Sequence, residues 1–115
     1  MADTKIVAKE EYIIREGEAS TEMYYLNKGT LAIYKRKGDH EKQIGTIYSG
    51  ELVGEMSFLD NEPRSASVKA TTESELTIIP REKLNKQIEN QPSWVKVLLS
   101  TLTERLRKAN HRIRI

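Results

Sequence analysis

Cysteine is absent from the 115 residues. That excludes disulfides, a thiol nucleophile and any thiolate metal site, and it fits a reducing, cytoplasmic setting. Histidine is nearly absent too: His40 and His111 stand far apart and make no metal-ligand spacing. No apolar run approaches the roughly 18 residues of a membrane helix. The N-terminus carries Asp3, Lys5, Lys9, Glu10 and Glu11 and has no signal-peptide core. Net charge is only +2, too little to point to nucleic acid. The basic residues Arg105, Arg107, Lys108, Arg112 and Arg114 form a solvated helix face, and positive charge near a helix C-terminus is favourable. Catalytic constellations are missing as well. There is no nucleophile elbow and no histidine pair, and Asp60 and Glu62 are expected to face outward from a loop. The expectation is a binding domain rather than an enzyme, without cofactor, metal or membrane contact.

What is present is a polar globular chain, 37% hydrophobic and 31% charged, long enough for one domain with its own core. The stretch from Met1 to Glu11 is polar and reads as a loose lead-in. Short strand-like runs follow at Tyr12–Arg15, Met23–Asn27, Leu31–Lys35, Gln43–Tyr48, Ser67–Ala70 and Glu75–Ile79. In the third, Leu31, Ile33 and Lys35 alternate with Ala32 and Tyr34. A hairpin tip is expected at Lys37–His40, and turns at Gly29 and Ser49–Gly50. Strands recurring this often between glycine turns predict a compact β-barrel or sandwich.

From Pro80 the periodicity becomes helical. Leu84 and Ile88 lie one helical step apart, Asn90–Pro92 interrupts, and Pro92 suits the first turn of a last helix reaching about Arg112. Val95, Leu99, Leu102, Leu106, Ala109 and Ile113 repeat at steps of four, three, four, three and four, a short heptad seam. Leu98 lies off that seam and is expected to face the barrel together with Trp94.

Between barrel strands lies the most informative stretch, Leu52 to Ala70, reading LVGEMSFLDNEPRSASVKA. Gly54 permits a tight turn and close approach of a ligand. A helix starting at Glu55 would aim free N–H groups and its positive dipole end at an anion. Arg64, nine residues later, offers a planar fork for two phosphate oxygens. Ser65 and Ala66 are small enough for a ligand to touch their amides. Ionised Glu55 can only accept hydrogen bonds, so it suits a sugar hydroxyl. Together they suggest a ribose phosphate. The plainer readings are a surface Arg64 paired with Asp60 or Glu62, and a Glu55 that only stabilises a helix start; neither explains the spacing between the two.

This stretch resembles the phosphate-binding cassette of the cyclic nucleotide-binding domain family, whose pattern is Gly-Glu, a short helix, then Arg followed by small residues. Gly17-Glu18, Gly29 and Gly50 also stand where that family has its turns. The resemblance covers nearly the whole chain, 1–115. It implies a mainly β, jelly-roll-like barrel over about 12–80 with two C-terminal helices over about 81–113. It implies a cyclic mononucleotide ligand, cyclic AMP favoured over cyclic GMP. The cassette residues Val53, Gly54, Glu55, Met56, Ser57, Arg64, Ser65 and Ala66 would hold the ribose and phosphate, with Glu55 on the 2′-hydroxyl and Arg64 on the phosphate. Ser57 departs from the usual alanine or glycine, but its amide remains. The Ser65 hydroxyl would contact phosphate or a guanine base, or simply start a strand. Ile33, Ile44 and Gly45 would line the base pocket. The last helix would close over it near Leu106, Ala109 and Asn110.

The implied output is movement of that helix toward a homodimer partner or an output domain. No helix-turn-helix follows the last helix in this sequence. The expectation is therefore either a stand-alone module or a regulatory domain whose output — DNA binding, a cyclic-dinucleotide phosphodiesterase or a channel — lies outside this chain. The competing expectation is a ligand-free dimerisation module with a vestigial cassette.

Overall fold

The computed structural model describes residues 3–60 and 62–113; the side chains of 58–60, 107 and 110–113 lie outside that description. Expectations placed on Asp60, Arg107, Asn110, His111, Arg112, Ile113 and Arg114 therefore fall outside the described residues.

Eight strands form two antiparallel four-stranded sheets. They are β1 (Thr4–Val7), β2 (Tyr12–Ile14), β3 (Glu22–Lys28), β4 (Thr30–Lys37), β5 (His40–Tyr48), β6 (Leu52–Val53), β7 (Ser67–Ala70) and β8 (Ser74–Pro80). One sheet has the order β1-β8-β3-β6 and the other β2-β7-β4-β5. The non-sequential orders give the jelly-roll-like architecture. Helix α1 (Glu55–Asp60) interrupts the strands, and α2 (Arg81–Glu89) and α3 (Ser93–Ile113) close the chain.

The core is the shared inner face of the two sheets. Val7, Tyr24, Leu26, Val53 and Leu76 from one sheet meet Ile14, Leu31, Ile47, Val68 and Ala70 from the other. Alternation sets which residues face in. Leu31 pairs with Ile47 and Ile33 with Gly45, so these four share one face of the sheet. The register then slips at Ile33/Tyr34, since Tyr34 pairs with Gln43. Ile44 is the extra residue of that β-bulge.

The N-terminal lead-in is a strand, not a loop. Thr4, Lys5, Ile6 and Val7 pair with Thr77, Leu76, Glu75 and Ser74 of β8. Only Val7 of the four is buried, so the hydrophobic pattern was too sparse to announce it; the exposed edge of β8 supplies the order. The last helix also differs from expectation. Trp94 and Leu98 do not face the barrel: they are 68% and 48% exposed. Val95, Leu99 and Thr103 form the covered side instead, and α3 packs on α1. These three positions lie within one narrow arc of the helix, whereas Trp94 is about a quarter turn outside it.

Candidate functional site

The site is built where β6 ends. Val53 is fully buried in the core and pairs with Tyr24 of β3, which fixes the turn that follows. Gly54 adopts φ +77°, a conformation that costs any residue with a Cβ. The missing side chain is also space in use. A Cβ there would lie 2.9 Å from Ile14 Cδ1 and 3.2 Å from Arg64 Cζ, and would overlap Arg64 Nη1. Glu55 then opens α1.

Arg64 is 6% exposed, so it is not a surface arginine. Its backbone is held on both sides by the turn after β2: its N–H donates to Glu18 O at 2.9 Å, and Gly17 N–H donates to its carbonyl at 2.8 Å. Nη1 donates to Gly54 O at 2.9 Å and to Ser57 Oγ at 3.0 Å. Nη2 donates to Glu22 O. Among the described residues no carboxylate forms an ion pair with it. Burial lowers the guanidinium pKa, opposed by the nearby Tyr24 phenol and Glu22. A buried cation answered only by neutral oxygens is costly, and an anion is what would relieve it.

That cation borders a cavity of about 360 Å³, at the lower end of the size range of small-molecule sites. Gly54, Glu55, Met56, Ser57, Arg64, Ser65 and Ala66 supply its polar side. Ile14, Ile33, Ile47, Leu52 and Val68 supply apolar lining, Thr46 and Glu51 add polar groups, and Leu106 reaches it from α3. Arg64 also borders a second cavity, shared with Glu18, Glu22 and Tyr24. There the buried Tyr24 hydroxyl donates to Glu22 Oε1 at 2.6 Å. Burial, then that hydrogen bond, push the phenol pKa up.

The structure thus brings together seven of the eight cassette residues, together with Ile33 and Leu106. Val53 sits one residue behind, in the core. Ile44 does not line the cavity: as the bulged residue it is 39% exposed. Gly45 faces Ile33, close enough that a Cβ would lie 3.3 Å from Ile33 Cδ1, but it is not part of the lining. Ala109 is exposed. Sequence reasoning missed Ile14, Thr46, Ile47, Glu51, Leu52 and Val68. Period-two alternation from Ile33 through its partner Gly45 could have found Ile47; Ile14 and Val68 required knowing that β2 pairs with β7. Among the described residues no acidic, histidine or cysteine cluster could hold a metal.

Comparison with known proteins places the fold in a family. The family model described as the cyclic nucleotide-binding domain matches residues 4–91. The chain is 29% identical over 102 residues to the CRP-like cAMP-activated global transcriptional regulator of Mycobacterium tuberculosis, covering 88% of this chain and 46% of the regulator. It is 32% identical over 99 residues to the cyclic AMP receptor protein of Thermus thermophilus, covering 85% and 46%. It therefore spans about half the length of the curated relatives it matches. Among solved structures, the cAMP-bound form of the EAL enzyme Bd1971 superposes with a TM-score of 0.82 at 30% identity, covering 97% of this chain and 30% of that one. The cGMP-bound form of the same enzyme gives 0.81 at 30% identity, covering 96% and 30%. With its cassette, its two-sheet fold and a family match over most of its length, the chain belongs to the cyclic nucleotide-binding domain family.

Proposed function

We propose that this domain is a sensor: it binds a 3′,5′-cyclic mononucleotide, cyclic AMP in preference to cyclic GMP, in the cavity bordered by Gly54–Ser57 and Arg64–Ala66. The observation that carries this is the buried Arg64 guanidinium, which borders that cavity and, among the described residues, donates only to neutral acceptors. The cyclic phosphate would share Arg64, with the amides near Gly54, Ser57 and Ser65 completing the cradle. Glu55, on the same cavity wall, would accept the ribose 2′-hydroxyl. The base would lie toward Ile33, Ile47 and Leu106. Relatives named for cyclic AMP support adenine; the cGMP-bound Bd1971 structure keeps guanine as the alternative to be measured.

Signalling would run through α3. Leu106 borders the cavity although it is itself 48% exposed, and Trp94, Leu98 and Leu102 of the same helix are exposed as well. Occupancy changes what Leu106 packs against, so it favours one placement of α3 over another. The beneficiary would be a second copy or an output domain. The domain itself would perform no chemistry, and measurable hydrolysis of cyclic AMP would contradict that. No helix among the described residues is long and apolar enough to cross a membrane, and the proposed setting is the cytoplasm.

The test is calorimetric titration with both nucleotides, using wild type and Arg64→Ala. Loss of the buried fork should weaken binding by about 2–5 kcal/mol. Thermal unfolding of the variant separates lost binding from lost folding, and Arg64→Lys, which keeps the charge without the fork, should fall between the two. The exposed stripe Trp94, Leu98 and Leu102 supports a second reading, a ligand-free dimerisation module. Dimerisation without binding of either nucleotide by the wild type would favour it.

A further inference from the structure

The geometry points to Lys35 as a positioning residue for the phosphate cradle, a role that rests on the nucleotide-binding reading above. Lys35 lies on β4 two residues beyond Ile33, hence on the same face of the sheet. Its Nζ donates to the Ser65 carbonyl oxygen at 2.5 Å. In a trans peptide the carbonyl and the following N–H point in opposite directions. Fixing the Ser65 carbonyl toward Lys35 therefore turns the Ala66 N–H away from it, and both residues of that peptide line the cavity. The lysine acts through a peptide plane, not by touching the ligand.

The clasp is anchored on the other side of β7. Glu16 Oε2 lies 3.6 Å from Lys35 Nζ, and Glu16 Oε1 accepts from Arg36 N–H at 3.1 Å. That N–H lies beyond the end of the β4–β7 ladder, whose last pair is Tyr34 with Ser67. Glu16 N–H in turn donates to Ser67 Oγ at 2.9 Å. Glu16 therefore caps β4 where its neighbour strand starts, and it holds the lysine against the segment Ser65–Ser67. Lys35 also adds a positive charge near the cassette whose only opposing carboxylate among the described residues is Glu16.

The test uses the purified chain, cyclic AMP, and the two diastereomers of its phosphorothioate, in each of which one exocyclic phosphate oxygen is sulfur. Lys35→Met keeps the aliphatic stem and removes the donor. It should weaken cyclic AMP binding about tenfold, the scale of one hydrogen bond to a charged group. Lys35→Arg should restore most of that loss. Because the amide of Ala66 would meet one exocyclic oxygen, the affinity ratio of the two diastereomers should shift in Lys35→Met and return in Lys35→Arg. A general weakening of the fold would lower both affinities without moving their ratio, and that result would overturn the positioning role. So would an unchanged affinity in Lys35→Met. Failure of the wild type to bind any of the three nucleotides would overturn the nucleotide reading, and this role with it.

Discussion

Replacing Gly54 with alanine should injure the site and the fold by two separable routes. The first is backbone conformation: φ +77° costs an alanine about 1–2 kcal/mol. The second is space. The new Cβ would overlap Arg64 Nη1 and lie 2.9 Å from Ile14 Cδ1, and Arg64 cannot simply swing away. Its Nη1 is bonded to Gly54 O and Ser57 Oγ, and its Nη2 to Glu22 O. Overpacking of this kind costs about 1–3 kcal/mol, giving about 2–5 kcal/mol in all. Gly38 provides the control. It sits at the β4–β5 hairpin with φ +65° and has nothing within 4 Å of where a Cβ would stand, so Gly38→Ala carries only the first cost. Urea unfolding of the two variants should therefore differ by at least about 1 kcal/mol, or roughly 4 °C in Tm for a domain of this size. Nucleotide affinity should fall at least about tenfold in Gly54→Ala, which displaces the guanidinium, and remain at the wild-type value in Gly38→Ala. In an Arg64→Ala background the extra cost at Gly54 should shrink, because the atom in the way is gone. Equal destabilisation of the two glycine variants, with equal affinities, would refute the claim that Gly54 is a glycine to make room for Arg64.

Two further outcomes follow from the site. If Glu55 holds the ribose, Glu55→Gln and 2′-deoxy cyclic AMP should each weaken binding, but the variant should lose little more with the deoxy nucleotide; additive losses in that calorimetric cycle would refute the assignment. Tyr24 supplies a pH dependence. Its pKa is raised above the usual 10.0 in the folded chain, so the neutral phenol is favoured by folding. That contribution is complete below about pH 10 and is lost progressively as pH rises toward the folded pKa. Tyr24→Phe should be less stable at neutral pH, by about 1 kcal/mol for the lost hydrogen bond to Glu22, yet should lose less stability than wild type between pH 10 and 11.5. Parallel denaturant curves across that range would show otherwise.

The cassette was legible because its chemistry is local. Gly54, Glu55 and Arg64 lie within one short stretch, and the structure gathers all three around one cavity. The helices were legible because Leu84 with Ile88, and Val95 with Leu99, keep a helical period, and Pro92 marks a start close to the observed Ser93. What stayed hidden depends on partners distant in sequence. Thr4–Val7 is a strand because β8 offers an edge 70 residues away. Ile44 leaves the cavity because of a one-residue bulge that no hydrophobic pattern announces. The apolar character of Trp94 and Leu98 points them inward, whereas Thr103 is the buried residue, at 8% exposure; the covered side of α3 is set by which way the helix docks, not by hydrophobicity alone. The contact of Lys35 with Ser65 crosses 30 residues and depends on β7 beginning at Ser67.

The join between β8 and the helices has a mechanical consequence. β8 ends at Pro80 and α2 begins at Arg81 with nothing between them. Arg81 N–H donates to Thr21 O at 3.0 Å, and its guanidinium donates to Ser20 O. That end of α2 is thus pinned to the barrel. The next break in regular structure is Asn90–Pro92. A 21-residue α3 is about 30 Å long, so under the proposed signalling it would swing as an arm about those three residues. A tilt of about 10° at the pivot would carry the far end about 5 Å, while Leu106, about two thirds of the way along, would move about 3 Å. Such an arm would amplify displacement: a shift the size of a side-chain rearrangement at the cavity would be enlarged at the tip, so a distance label near Lys108 should report occupancy more sensitively than one on α2.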